Sequence, residues 1–240
     1  MRGDLLDAQS AVDWAVAQLP VLIKRIIKWK RDEPYTTRID TDSEPGKKVY
    51  RLTNVKTFDP LINAEAGVII HSIRSSLDIL ACALAARNGF PESRSTHFPM
   101  AKAASDFSNP QSHVVEQIKR LSDVDKSTII KDCRPYPGGD DLLCALHALD
   151  LTRKHRRLLD ALIFTRGVSF SLAAPITYSG DLRFQDEAIV GWTDDSVPDG
   201  KITVGLHVAF DESGPLHGHE VPGTITAFAR KAFDIVRLFN

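Results

Sequence analysis

Between Asp59-Pro60 and Asn88-Gly89 lies the feature that most constrains the fold of this chain. Asp59 is a good helix N-cap, Pro60 suits the first helical position, and Asn88-Gly89 is a stop signal, so residues 60–87 are predicted to form one helix of 28 residues. Ile62, Ala66, Ile69, Ile73, Leu77, Leu80 and Leu84 recur at spacings of three and four and form its core face. The other faces carry Val68, Ile70, Ile79, Cys82 and Ala83. A helix apolar almost all round is expected to be buried, which makes this the central element.

Against that apolar background stands a polar stripe: His71, Arg74 and Asp78 lie three and seven residues apart, on one side of the helix. The same spacing recurs in His147, Asp150 and Lys154, within a second Leu-rich helix predicted over 141 to about 165 and capped by Asp140 or Asp141. Polar groups taken out of water need partners, so the two stripes imply a polar site shared between packed helices. The second helix has an apolar face that starts with Leu142, Leu146 and Leu149 and rotates to Leu151, Leu158, Leu159 and Leu162, with His155 inside it.

The remaining segments build around these two helices. Residues 4 to about 31 read as a helix with Leu5, Ala8, Val12, Ala15, Leu19, Leu22, Ile26 and Trp29 inward, kinked or split at Pro20. Residues 35–55 read as a β-hairpin about the turn EPGK, residues 110–121 and 123–132 as short helices, and 168–210 as an antiparallel meander. A last helix covers 222–239, with Ile225, Phe228, Ala232, Val236 and Phe239 inward. The fold class is α+β, mainly α: a bundle of about four long helices with a hairpin insertion and a small antiparallel sheet before the C-terminal helix. It is read as a single domain, 1–240, with helical core 1–31, 60–165 and 222–239 and β-rich insertions at 35–55 and 168–210.

A content of 43% hydrophobic and 25% charged residues excludes disorder, and the net charge of -1 gives no global pull toward nucleic acid or anionic lipid. Any such binding must come from local basic patches: Lys119, Arg120, Lys126, Lys131 and Arg134, or the run Arg153, Lys154, His155, Arg156, Arg157. Three cysteines are too few for a disulfide framework, and Cys82 and Cys144 read as small core residues. With no secretory signal and no apolar run of roughly 18 residues, a cytoplasmic protein without membrane contact is expected.

Motifs for P-loops, dinucleotide binding and the hydrolase nucleophile elbow are absent. One reading of the stripe has Arg74 stabilising developing phosphate charge, His71 shuttling a proton and Asp78 orienting one of them. The other is an internal Arg74–Asp78 ion pair with His71 bonded nearby. His71, Asp78, His147, Asp150 and His155 could supply nitrogen and oxygen ligands from facing helices, but no metal motif supports them, so no metal and no cofactor is expected.

The segments HSIRSSLDILACALA, HFPM and RPYPGGDDLLCALHALDLTRKHRRLL resemble a family of uncharacterised bacterial proteins over about residues 60–160. Its pattern runs His-Asn-Leu-Arg-Ser-Ala-Leu-Asp-His-Leu, Phe-Pro, Gln-Pro-Tyr and Lys-His-Arg, and it is distantly similar to HEPN-type helical bundles, whose nucleases place His four to six residues after Arg on one helix. The resemblance implies RNA as partner, an endoribonuclease and a bacterial defence or toxin setting; proton transfer by histidine and charge stabilisation by arginine need no metal, and a homodimer is expected. Arg74 matches the motif arginine, while Ile79 stands where relatives have the histidine. That leaves His71 or His155 to substitute, with Asp78, and the binding set is Asp150, Arg153, Lys154, Arg156, Arg157 and Tyr136. Arg153 departs from the acidic residue usual before Lys-His. The alternative is a non-catalytic ligand-binding or oligomerisation module whose polar residues tie helices together.

Overall fold

A computed structural model describes residues 2–32, 34–54, 56, 58–91, 95–155, 159, 161–171, 177–178, 187–211 and 216–240. The chain is α+β and mainly helical: α1 (Leu6–Arg31), β1 (Thr36–Thr41), β2 (Lys47–Thr53), α2 (Pro60–Arg87), α3 (His113–Ile118), α4 (Asp123–Thr128), α5 (Asp141–His155), β3 (Ala161–Phe170), β4 (Thr177–Tyr178), β5 (Ala188–Asp194), β6 (Ile202–Phe210) and α6 (Val221–Leu238). They group into two compact units, one of Met1–Leu22, Ala64–Leu159 and Pro222–Asn240, the other of Ile23–Asn63 and Asp160–Val221.

In the first unit every described element is helical. The predicted inward residues of α1, from Leu5 to Leu22, are buried, and the helix runs through Pro20 without being split. Gly89 closes α2 in a left-handed conformation, with the Phe90 N–H on the Ala85 carbonyl and the Gly89 N–H on that of Ala86, a paired terminal bond that satisfies two orphan acceptors. Arg87 near this end donates to Asp4 and to the Phe239 carbonyl, joining α2 to both chain termini. Ser72 donates to the Ala11 carbonyl across the α1–α2 contact.

Asp140 caps α5, its carboxylate accepting the Leu143 N–H at 2.9 Å, and its other oxygen meets Lys231 of α6 at 2.8 Å. Asp140→Ala therefore removes a cap and a tether, and a drop of about 1–2 kcal/mol is expected by urea denaturation. A loss under 0.5 kcal/mol, on the order of surface noise, would show that the cap is not formed.

Three expectations about this unit are corrected. First, α2 is not buried all round: Val68, Ile79 and Cys82 are exposed. By length and composition alone α2 could cross a bilayer, although 56% of its most apolar window is buried inside the protein. Second, Cys133 rather than Cys82 or Cys144 is the core cysteine, and burial pushes its thiol up to about 12. Third, α5 stops at His155 instead of near 165, Leu151 is 42% exposed, and Leu162, expected on the same helical face, lies in β3. Leu142 is only half-buried, and its neighbour Leu143 takes the core position.

The second unit holds the strands. β1 and β2 form the expected hairpin, but β2 also pairs antiparallel with β5, giving a sheet in the order β1-β2-β5-β4, while among the described residues β3 and β6 form a separate two-stranded sheet. The 168–210 region is thus no simple meander, since its strands are shared between two sheets. Tyr50, Leu52, Val190, Ile202 and Val204 form the core here together with Trp29, which meets Phe58 edge-on at 5.6 Å.

Candidate functional site

Both polar stripes meet in the first unit, where α2 faces α5. His71 Nδ1 lies 2.9 Å from Asp150 Oδ1, and Lys154 Nζ lies 2.6 Å from Asp150 Oδ2. Asp150 is 2% exposed, so each carboxylate oxygen gains a donor that offsets its desolvation. An ionised carboxylate only accepts, so His71 donates through Nδ1 in this contact. The His71 side chain is 38% exposed, and the ring is therefore within reach of solvent.

Arg74 is only 4% exposed and spends its guanidinium inside the protein. Nη1 donates to Asp78 Oδ1 at 2.8 Å, Nη2 to the Phe98 carbonyl at 2.9 Å, and Nε to His147 Nδ1 at 3.3 Å. Asp78 in turn accepts the Phe98 N–H at 3.0 Å. Arg74 and Asp78 together thus bind both main-chain groups of Phe98, much as a neighbouring strand would, and fix the His97-Phe98-Pro99 stretch against α2. The Ala101 N–H bonds the Pro135 carbonyl at 2.9 Å, tying the same stretch to the loop before α5.

Because arginine only donates, His147 must accept at Nδ1 and carry its proton on Nε2. Burial, and next the Arg74 charge, hold this ring down at about 4 against an ordinary 6.5, so it is neutral at pH 7. Ser75, His71 and Asp150 have the residue types of a serine–histidine–aspartate triad, but the Ser75 Oγ is 3.5 Å from both nitrogens of His71. A hydroxyl equidistant from the two cannot lie along the in-plane lone pair of Nε2, so Ser75 is not an activated nucleophile.

The other predicted site residues are placed as follows. Arg153 lies over Gly67, where an added Cβ would come within 2.9 Å of its Cγ, so this glycine lets α5 carry an arginine close against α2. Tyr136 packs edge-on against Phe107 at 6.4 Å. The side chain of His155, and Arg156 and Arg157 entirely, lie outside the described residues. The first basic patch is largely paired: Lys119 with Glu116, Arg120 with Glu116 and Ser95, and Lys126 with Asp123. The stripe spacing pointed to six of the network's residues. Sequence reasoning missed the Phe98 main chain as Arg74's partner, for which the HFPM stretch was the only signal, and it missed His97, which is 4.0 Å from Asp78.

Comparison of the chain with protein-family models, with curated proteins and with solved structures gives no match.

Proposed function

We infer that this is a HEPN-like cytoplasmic bacterial protein whose four long helices form a bundle, with a hairpin insertion and a small sheet before α6, and that it binds and cuts single-stranded RNA on the α2–α5 face. One observation carries the reading: His71 is held through Nδ1 by a buried carboxylate while its side chain stays partly open to solvent. That is the arrangement a general base needs. His71 takes the proton of a ribose 2′-hydroxyl, the 2′-oxygen attacks the adjacent phosphorus, and the bond to the 5′-oxygen breaks. Water protonates the leaving oxygen, since His147, held neutral, is a poor acid at pH 7. Lys154 and Arg153 supply positive potential beside His71. Arg74 acts as a positioning residue, holding His147 and the Phe98 stretch in place.

The test is binding and cleavage of a short single-stranded RNA without added metal. Affinity is expected to fall steeply between about 50 and 200 mM salt. His71→Ala is expected to lower turnover by about 10²–10⁴-fold with binding retained, which is the usual worth of a positioned acid–base group. Absence of binding at low salt would end the RNA reading. Binding without cutting would point to Ile79, 36% exposed and five residues after Arg74, and Ile79→His is then the variant expected to gain cleavage.

The second reading is a non-catalytic ligand-binding or oligomerisation module. The internal commitment of the Arg74 guanidinium favours it, because an arginine so engaged ties helices together and has little left for a phosphate.

A further inference from the structure

In the second unit, Lys30, Tyr35, Thr37, Lys201, Ile202, Val204 and Leu206 line an open slot of about 660 Å³. Its long wall is the outer edge of β6, which among the described strands pairs with β3 on its other side. The direction of the β6 backbone can be read from its partners. The Lys201 carbonyl accepts the Ser171 N–H and the Thr203 carbonyl accepts the Ser169 hydroxyl, both on the β3 side. The Val204 N–H and carbonyl instead face outward, and the Tyr35 hydroxyl takes both, accepting at 3.0 Å and donating at 3.2 Å. Phe210 faces outward too: its N–H bonds the His219 carbonyl and its carbonyl accepts the Gly218 N–H.

Main-chain groups alternate in direction along a strand, so Ile202 and Leu206 must also turn their N–H and C=O outward, into the slot. Among the described residues these two rungs have no outward partner. The same edge already takes chain at Phe210 and a hydroxyl in place of chain at Val204. An unpaired edge of this kind is a template for strand addition. Ile202 and Val204 are buried through their side chains, so the edge is fixed in place. From Ile202 to Leu206 the rungs span about 14 Å, the length of roughly five extended residues. Among the described residues the charged side chains of the lining are Lys30 and Lys201.

We propose that this slot binds an extended, acidic peptide segment as an added strand on the outer edge of β6, with Tyr35 as the latch that gives way at Val204. Affinity comes from main-chain bonds at Ile202, Val204 and Leu206, and selectivity for acidic side chains comes from Lys201.

The experiment uses the intact chain and a fluorescently labelled, end-blocked alternating Glu-Val hexapeptide, read by anisotropy, beside its Lys-Val counterpart. The Glu-Val probe is expected to bind at least about tenfold tighter, and Lys201→Glu is expected to erase that preference. Two further probes carry N-methyl groups on alternate residues, one set on each edge. Strand addition predicts that one set loses at least about tenfold in affinity, the scale of a lost hydrogen bond, while the other binds as before. Tyr35→Phe frees the Val204 rung and is expected to strengthen binding several-fold, whereas a merely structural tyrosine would leave affinity unchanged or lower it. Failure of the Glu-Val probe to bind, equal loss from both N-methyl sets, or equal binding of the Lys-Val probe would each overturn the proposal.

Discussion

Arg74→Ala is expected to lower the unfolding free energy by about 3–5 kcal/mol, the usual cost of removing one member of a buried ion pair and stranding the other. Arg74 is buried, and its loss leaves the Asp78 carboxylate with the Phe98 N–H but no cation, and the Phe98 carbonyl with no donor. The Phe98 ring is fully buried, so loosening its main chain also disturbs packing. Asp78→Ala should cost less, because Asp78 is more exposed and the guanidinium keeps two partners. Urea denaturation of both single variants and the double variant checks this. A cost below about 1 kcal/mol for Arg74→Ala would place the pair in the class of surface ion pairs and remove the structural reading of the network. In the double variant the two losses should fall short of additive, since both groups act on the same Phe98 backbone.

How much of this arrangement was legible depended on whether the determining interaction was local. The α1 core face from Leu5 to Trp29 and the α2 face from Ile62 to Leu84 follow from spacing alone, and all of these residues are buried. The ends of α2 followed from Asp59-Pro60 and Asn88-Gly89, because caps act within one turn. The repeated three-and-seven spacing located His71, Arg74, Asp78, His147, Asp150 and Lys154 as one network, because a polar stripe on an apolar helix must find its match.

What failed was nonlocal. Residues 158–162 continue a helical apolar pattern, yet Ala161–Phe170 pairs with β6 about forty positions on, and a short apolar run does not distinguish strand from helix. The pairing of β2 with β5 is likewise set by tertiary contact and left no mark on either segment. The Phe98 main chain was invisible for a different reason: side-chain patterns encode neither which backbone groups are unpaired nor which arginine reaches them. Cys82 looked like a core residue because Ala and Leu surround it in sequence, but it lies on the exposed side of α2 with Ile79.

Acidification is expected to weaken the first unit through His147. Its ring is depressed to about 4 in the folded protein, by burial first and the Arg74 charge second, with Lys154 adding to the depression while Asp150 and Asp78 oppose it. In the unfolded chain the ring titrates near its ordinary 6.5. Above that value the ring is neutral in both states and the stability it permits is fully present. As pH falls from about 6.5 toward 4, the unfolded state takes a proton that the folded state refuses, and stability is lost across that window. The full difference corresponds to about 3 kcal/mol, and solvent reaching the half-buried ring screens part of it, leaving about 2 kcal/mol. Urea denaturation at pH 7.5 and 4.5 measures the loss, and His147→Gln isolates it, since glutamine can accept from Arg74 Nε without titrating. The variant should lose about 2 kcal/mol less than the parent chain over the interval. Equal losses in the two proteins would mean that other groups carry the acid sensitivity and that Arg74 does not hold this ring neutral.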